Sequence, residues 1–87
     1  MSPKKIFIKD LANHLVNTGT VMSGPELANH LNRNNIQTDS GTTYAGTQGT
    51  YALVKATYNE LMKNGDSINA DKVALAFVKE DGTYAYL

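Results

Sequence analysis

The chain has 87 residues, 41% of them hydrophobic and 18% charged, and it contains no cysteine. This is the composition of one ordinary globular domain. It excludes a disordered or fibrous chain, and the missing cysteine excludes disulfide frameworks, thiolate zinc sites and thiol nucleophiles. Basic and acidic residues balance at 8 each, so attraction for a polyanion has to come from local charge rather than from the total.

That local charge is uneven. Lys4, Lys5, Lys9, Arg33 and Lys55 face only Asp10, Glu26 and Asp39 in residues 1–55, and the matching acidic excess follows residue 55. A single domain over residues 1–87 is expected, with too little interior for a large substrate cavity, so function is expected on the surface. The first apolar run ends at Lys9 and Asp10, too short for a signal peptide or a membrane span, and a cytoplasmic protein with no membrane association is the expectation.

Residues 3–17 read as a helix, because Ile8, Leu11, Ala12, Leu15 and Val16 recur at i, i+3, i+4, i+7 and i+8. Ser2 before Pro3 is a start and Gly19 a stop; the alternative is a short strand over Lys5–Ile8 with the helix beginning near Lys9. A short β-tolerant stretch, Thr20 to Met22, leads into Ser23-Gly24-Pro25-Glu26. These residues form a capping box in which hydroxyl and carboxylate each satisfy the other residue's backbone N–H. The second helix then buries Leu27, Ala28 and Leu31, presents Asn29, His30, Asn32 and Arg33 to solvent, and ends at Asn34-Asn35.

Residues 35–46 form a polar connection turning at Asp39-Ser40-Gly41 and anchored by Ile36 and Tyr44. The third helix runs from about Thr47 to Lys63, with Tyr51, Val54, Tyr58, Leu61 and Met62 on one face and Asn64-Gly65 as its stop. After a polar link, Val73, Leu75 and Phe77 alternate with Ala74, Ala76 and Val78. Asp81-Gly82 offers a tight turn, and Thr83 to Leu87 alternates again, which together predict a C-terminal β-hairpin.

Three helices followed by a C-terminal β-hairpin make an α+β chain with the element order of a winged helix-turn-helix. In that arrangement the third helix enters the major groove of double-stranded DNA. The side chains it would offer are Thr47, Gln48 and Thr50, with Lys55 further along: a carboxamide suits adenine, a threonine a base or the thymine methyl, and a lysine a phosphate. Arg33 at the end of the second helix, and Thr42 and Thr43 in the connection, complete the expected DNA-binding set. The tip Lys79-Glu80-Asp81 reads as a solvated turn whose acidic character argues against insertion of the hairpin into the minor groove, leaving the third helix and the 35–46 loop as the expected contacts.

Chemistry-bearing constellations are otherwise absent. His14 and His30 lack a second ligand at metal spacing, Asp39-Ser40-Gly41 lacks the context of a nucleophile elbow, and Gly41, Gly46 and Gly49 are followed by no Lys-Ser/Thr pair. No enzyme activity, metal, cofactor or small-molecule substrate is expected. Tyr44, Tyr84 and Tyr86 are candidates for contact with DNA or a partner, whereas Tyr51 and Tyr58 belong to the core stripe.

One stretch carries a more particular pattern: Leu27-Ala28, Leu31-Asn32, Asn35-Ile36-Gln37-Thr38, Gly41-Thr42 and Tyr44, then a helix led by threonine. Over residues 27–54 this resembles the DNA-reading recombinase domain of large serine recombinases, with Asn35 where that family has glycine and without its arginines on the following helix. The resemblance implies a DNA-contacting element without strand exchange, since no recombinase catalytic domain accompanies it. The expectation is a small DNA-binding regulator of transcription or of a mobile element, of bacterial or phage type. Its rival is a protein-interaction module, homodimeric or partner-binding, on the same scaffold, favoured by the zero net charge and the tyrosines.

Overall fold

The computed structural model describes all 87 residues as an α+β fold of four helices and a small two-stranded sheet. Helix α1 spans Pro3–Thr18, strand β1 Met22–Ser23, helix α2 Gly24–Arg33, helix α3 Thr47–Lys63, helix α4 Ser67–Ala76 and strand β2 Phe77–Val78. No helix is long and apolar enough to cross a membrane.

The termini of α1 and α2 follow from local chemistry. The Ser2 hydroxyl accepts from the Lys5 N–H, and Gly19 ends α1 at φ 69°, a left-handed conformation that costs a residue with a Cβ. At Ser23 both halves of the capping box form: Oγ accepts from the Glu26 N–H, and Glu26 Oε1 accepts from the Ser23 N–H at 3.2 Å. Asn35, the one non-glycine residue at positive φ, follows α2 at 57°.

One core holds the helices together. Ile8, Ala12 and Leu15 of α1, Leu27 and Leu31 of α2, Val54 and Leu61 of α3, and Ala70, Val73 and Ala76 of α4 pack around Phe77. The most extensive helix contact is α1 on α4, followed by α3 on α4. Strands β1 and β2 run parallel, with Met22 opposite Phe77 and Ser23 opposite Val78, and Val78 also bridges Tyr84 in antiparallel sense.

Helix α4 corrects the expectation of three helices and a long hairpin. Residues 73–76 continue a helix that Asp66 caps by accepting the Asn69 N–H at 3.2 Å. Its Ala70, Val73 and Ala76 are buried at i, i+3 and i+6. An uninterrupted apolar run, Val73 to Val78, satisfies a strand and a buried helix face equally well, and the cap decides between them. The hairpin survives only as a short return: the Lys79 N–H donates to Thr83 O at 2.7 Å, the Ala85 N–H donates to Phe77 O at 3.0 Å, and Gly82 turns at φ 87°.

Candidate nucleic-acid interface

Helix α3 has a buried side and an open side, and their chemistry differs. Thr50, Leu53, Val54, Thr57 and Leu61 are buried. Gln48, Ala52, Lys55, Asn59 and Lys63 are all exposed, and at about 100° per residue they fall within about 80° of one another around the axis. The open side therefore presents two carboxamides and two ammonium groups, with an alanine between them. It carries no carboxylate. Glu60, the one acid of α3, is rotated toward α1, where Oε1 lies 3.4 Å from Lys5 Nζ; its Oε2 is buried with no hydrogen-bond partner.

The side chains expected to meet DNA divide on this geometry. Gln48 and Lys55 lie on the open side, and Arg33 is exposed at the end of α2, where it lines a polar recess of about 480 Å³ with Asn29 and Asn32. Thr42 and Thr43 are exposed in the connection, although the Thr42 hydroxyl is already engaged with Thr38 Oγ1 at 2.8 Å. Thr47 is half-buried. Thr50 is a correction: its side chain is wholly inside, its hydroxyl donating to Thr47 O at 2.6 Å, and it meets no solvent or groove. A threonine can bury itself this way because the helix backbone accepts its proton. Met62, expected on the core stripe, is instead 46% exposed, because the threonines at 50 and 57 rotate the buried side away from it.

The connection is built to hold α3 by its first turn. Asn32, expected to face solvent, turns instead to Tyr44: its Nδ2 donates to Tyr44 O at 2.9 Å, and its Oδ1 accepts the Tyr44 N–H at 2.8 Å. The Tyr44 ring is buried, and a Cβ added at Gly49 would stand 3.4 Å from Tyr44 Cδ1. Ahead of it, the turn closes through Thr38 N–H to Thr42 O at 2.8 Å and Gly41 N–H to Thr38 O at 2.9 Å, leaving Asp39 at the tip.

On the other flank, Tyr51 couples α3 to α2 and to the C-terminal return. Its ring lies so close to Gly24 that a Cβ there would stand 2.7 Å from Tyr51 Cε1. Lys79 Nζ sits 5.8 Å from the centroid of the same ring, a cation–π contact that places the start of the return beside the first turns of α3. Further along, Tyr58 stacks on Tyr86 at 4.5 Å between ring centroids, and Tyr86 meets Tyr84 at 6.2 Å. Tyr44, by contrast, is withdrawn from the candidates for partner contact by its burial.

Asn59 and Lys63 are not among the expected contacts, and Lys79, expected in a solvated turn, lies instead over the Tyr51 ring. Asn59 and Lys63 were legible in principle, because they follow Lys55 at i+4 and i+8 on one helical stripe. The placement of Lys79 was not, since its position beside α3 depends on where α4 delivers the chain. There is no group of His, Cys, Asp and Glu that could hold a metal ion. Comparison with family models, with curated proteins and with solved structures gives no match to this chain.

Proposed function

We propose that this domain binds double-stranded DNA as a winged helix-turn-helix, with α3 lying in the major groove and α2 bracing it. The observation that carries this reading is the open side of α3: Gln48, Ala52, Lys55, Asn59 and Lys63 without a single carboxylate, on a chain whose total charge is zero. In a neutral protein an acid-free helix face is a segregated feature, and it matches both the base edges and the phosphates of a groove. The element order α1, β1, α2, α3 supports the reading, with α4 standing between α3 and the terminal return as a departure from it, and the contact of Lys79 with Tyr51, which sets the return alongside α3, supports it as well. The resemblance of residues 27–54 to the DNA-reading recombinase domain points the same way: Asn32 and Tyr44, two residues of that pattern, are those that fix the loop to the helix.

In this reading Gln48 faces a base edge, Ala52 a thymine methyl, and Lys55, Lys63 and Arg33 the phosphates. The domain acts as a small regulator and not as an enzyme. Fluorescence anisotropy with labelled mixed-sequence duplexes, at low and moderate salt, tests it. Saturable binding that weakens with salt is expected; a folded protein that binds no duplex at low salt overturns it.

A second reading rests on a separate observation. Tyr84, Leu87 and Met62 are 43%, 65% and 46% exposed beside the Tyr58–Tyr86 stack, an apolar patch suited to a protein surface. A homodimer formed there would carry two α3 helices to two half-sites. Light scattering at concentrations that span the DNA titration separates the cases: a monomer that binds DNA removes the patch from the mechanism.

A further inference from the structure

A cleft of about 760 Å³ runs between the start of α1 and α3. Gly49, Ala52 and Ala56 of α3 line it, together with Lys4 of α1 and with Asp39 and Tyr44 of the connection. Ala52 belongs both to this lining and to the open side of α3, so the cleft is a continuation of the candidate DNA-binding face. Two cations line it, Lys4 and Lys5, and Lys5 is engaged with Glu60. The stem of Lys4 is largely covered, its side chain 21% exposed, and Nζ lies 5.8 Å from the centroid of the Tyr44 ring and 3.0 Å from Asp39 Oδ1. Asp39, at the turn tip, is fully exposed and has Lys4 as its side-chain partner.

We propose that this cleft takes a backbone phosphate of the bound duplex, with Lys4 as the phosphate ligand and Asp39 as the resident carboxylate that the phosphate replaces. The inference rests on the DNA-binding reading of α3. A helix with its side chains is about 10–12 Å across, close to the width of the major groove, so both sugar-phosphate strands pass along its flanks. The strand on the α1 side passes over this cleft. Burial tends to lower the basicity of the Lys4 amine, but its interactions with Asp39 and Tyr44 outweigh this and hold it above the ordinary lysine range. Lys4 is therefore a fully charged, positioned cation at neutral pH. The carboxylate that occupies it is exposed, and ion pairs of that kind are weakly held. A backbone phosphodiester brings the same single charge and two anionic oxygens to the same place, and the freed Asp39 returns to water with no other bond to break.

The exchange has a signature that a general charge effect lacks. In the wild-type protein, Lys4 releases a counterion from DNA while Asp39 acquires one, so the pair adds little to the salt dependence. In Asp39→Asn the lysine contributes in full. Anisotropy with labelled mixed-sequence duplexes over a salt series should then show Asp39→Asn binding about 3- to 10-fold more tightly at low salt, with the slope of log K against log salt steeper by about one. Lys4→Ala should weaken binding, and Asp39→Asn placed on Lys4→Ala should recover little of its gain. Asp71→Asn, an equal charge change on the exposed side of α4, is the control. Far-UV circular dichroism establishes that each variant is folded. An unchanged affinity in Asp39→Asn overturns the inference while leaving DNA binding intact, and so does a gain that persists without Lys4 or that Asp71→Asn reproduces. Failure of both the wild type and Asp39→Asn to bind any duplex overturns the DNA-binding reading, and this inference with it.

Discussion

At the scale of single residues, burial separates side chains that a sequence stripe treats alike. Thr47, Gln48 and Thr50 begin the same helix, yet Gln48 is exposed and Thr50 has no surface at all. Thr50→Val keeps the shape and removes only a hydroxyl bonded to its own helix backbone, so duplex affinity should stay within about twofold, whereas Gln48→Ala should flatten the preference among duplexes; a Thr50→Val protein that folds but loses affinity would place that hydroxyl in the interface. Asn32 makes the complementary case, a side chain that reads as exposed and serves as a clamp. Asn32→Asp keeps the acceptor for the Tyr44 N–H but sets a carboxylate oxygen against Tyr44 O, and denaturant unfolding should register a loss of about 2 kcal/mol. The core was legible at this scale wherever apolar residues carry it, as at Ile8, Leu27 and Val54. It was illegible at Thr50 and Thr57, where a hydroxyl disappears into the helix by donating to a carbonyl one turn back, to Leu53 O at 2.8 Å in the case of Thr57. Neither pattern nor propensity marks such a threonine as interior.

At the scale of elements, caps decide what apolar periodicity leaves open. The Ser23 capping box was readable because its two members lie three residues apart in a polar setting. Removing the hydroxyl in Ser23→Ala should cost about 1 kcal/mol of stability in the same unfolding experiment. The start of α4 was hidden, since Asp66-Ser67-Ile68-Asn69 resembles a loop until the Asp66 carboxylate is seen to accept from both the side chain and the N–H of Asn69. The helix is further joined to α1, where Asn13 donates to Asn69 Oδ1 at 3.1 Å and accepts from Lys72 Nζ at 2.7 Å. The hydrogen bonds from the Asn69 side chain and then from its N–H hold the Asp66 carboxyl below the ordinary aspartate value, and those from the Thr83 hydroxyl and N–H do the same for Asp81. A carboxyl lowered on folding contributes stability that is present above its unfolded pKa, near pH 4, and is lost as pH falls through the folded value beneath it. Thermal midpoints should therefore decline below about pH 4, and Asp66→Asn, which keeps a capping side chain without the titration, should show a shallower decline. An identical acid limb in the variant would remove Asp66 from the account. The element contact most exposed to a single atom is that of α2 with α3: Gly24→Ala must move the Tyr51 ring, and with it the support of Lys79.

For the molecule as a whole, zero net charge is not the same as an even distribution of charge. Lys4, Lys5 and Lys9 are paired with Asp39, Glu60 and Asp10, all within α1 or between α1 and the α3 region, so the positive start of the chain is neutralised internally. Lys72 is turned to the α1–α4 seam. The other cations left without a carboxylate partner are Lys55 and Lys63 on α3, Lys79 beside it and Arg33 at the end of α2. Helix α4 packs on both α1 and α3 and carries most of the covering of the core at this end of the chain, to which the return adds Ala85. The return is thereby left short and placed against Tyr51, where its first residue adds a cation and its acidic tip lies beyond; Asp81 in that tip is turned back on Thr83. Each phosphate neutralised on B-DNA contributes about −0.9 to the slope of log K against log salt, so four cations correspond to a slope of about −3 to −4 for the wild-type protein on a mixed duplex. Lys55→Ala and Lys63→Ala should each make it shallower by about one. A slope near zero would mean that α3 does not meet the backbone. A value approaching twice the expected one would mean that two copies of the chain share one duplex, since an α1 lysine that leaves its carboxylate adds little to the slope; titration against a duplex too short for two domains checks this.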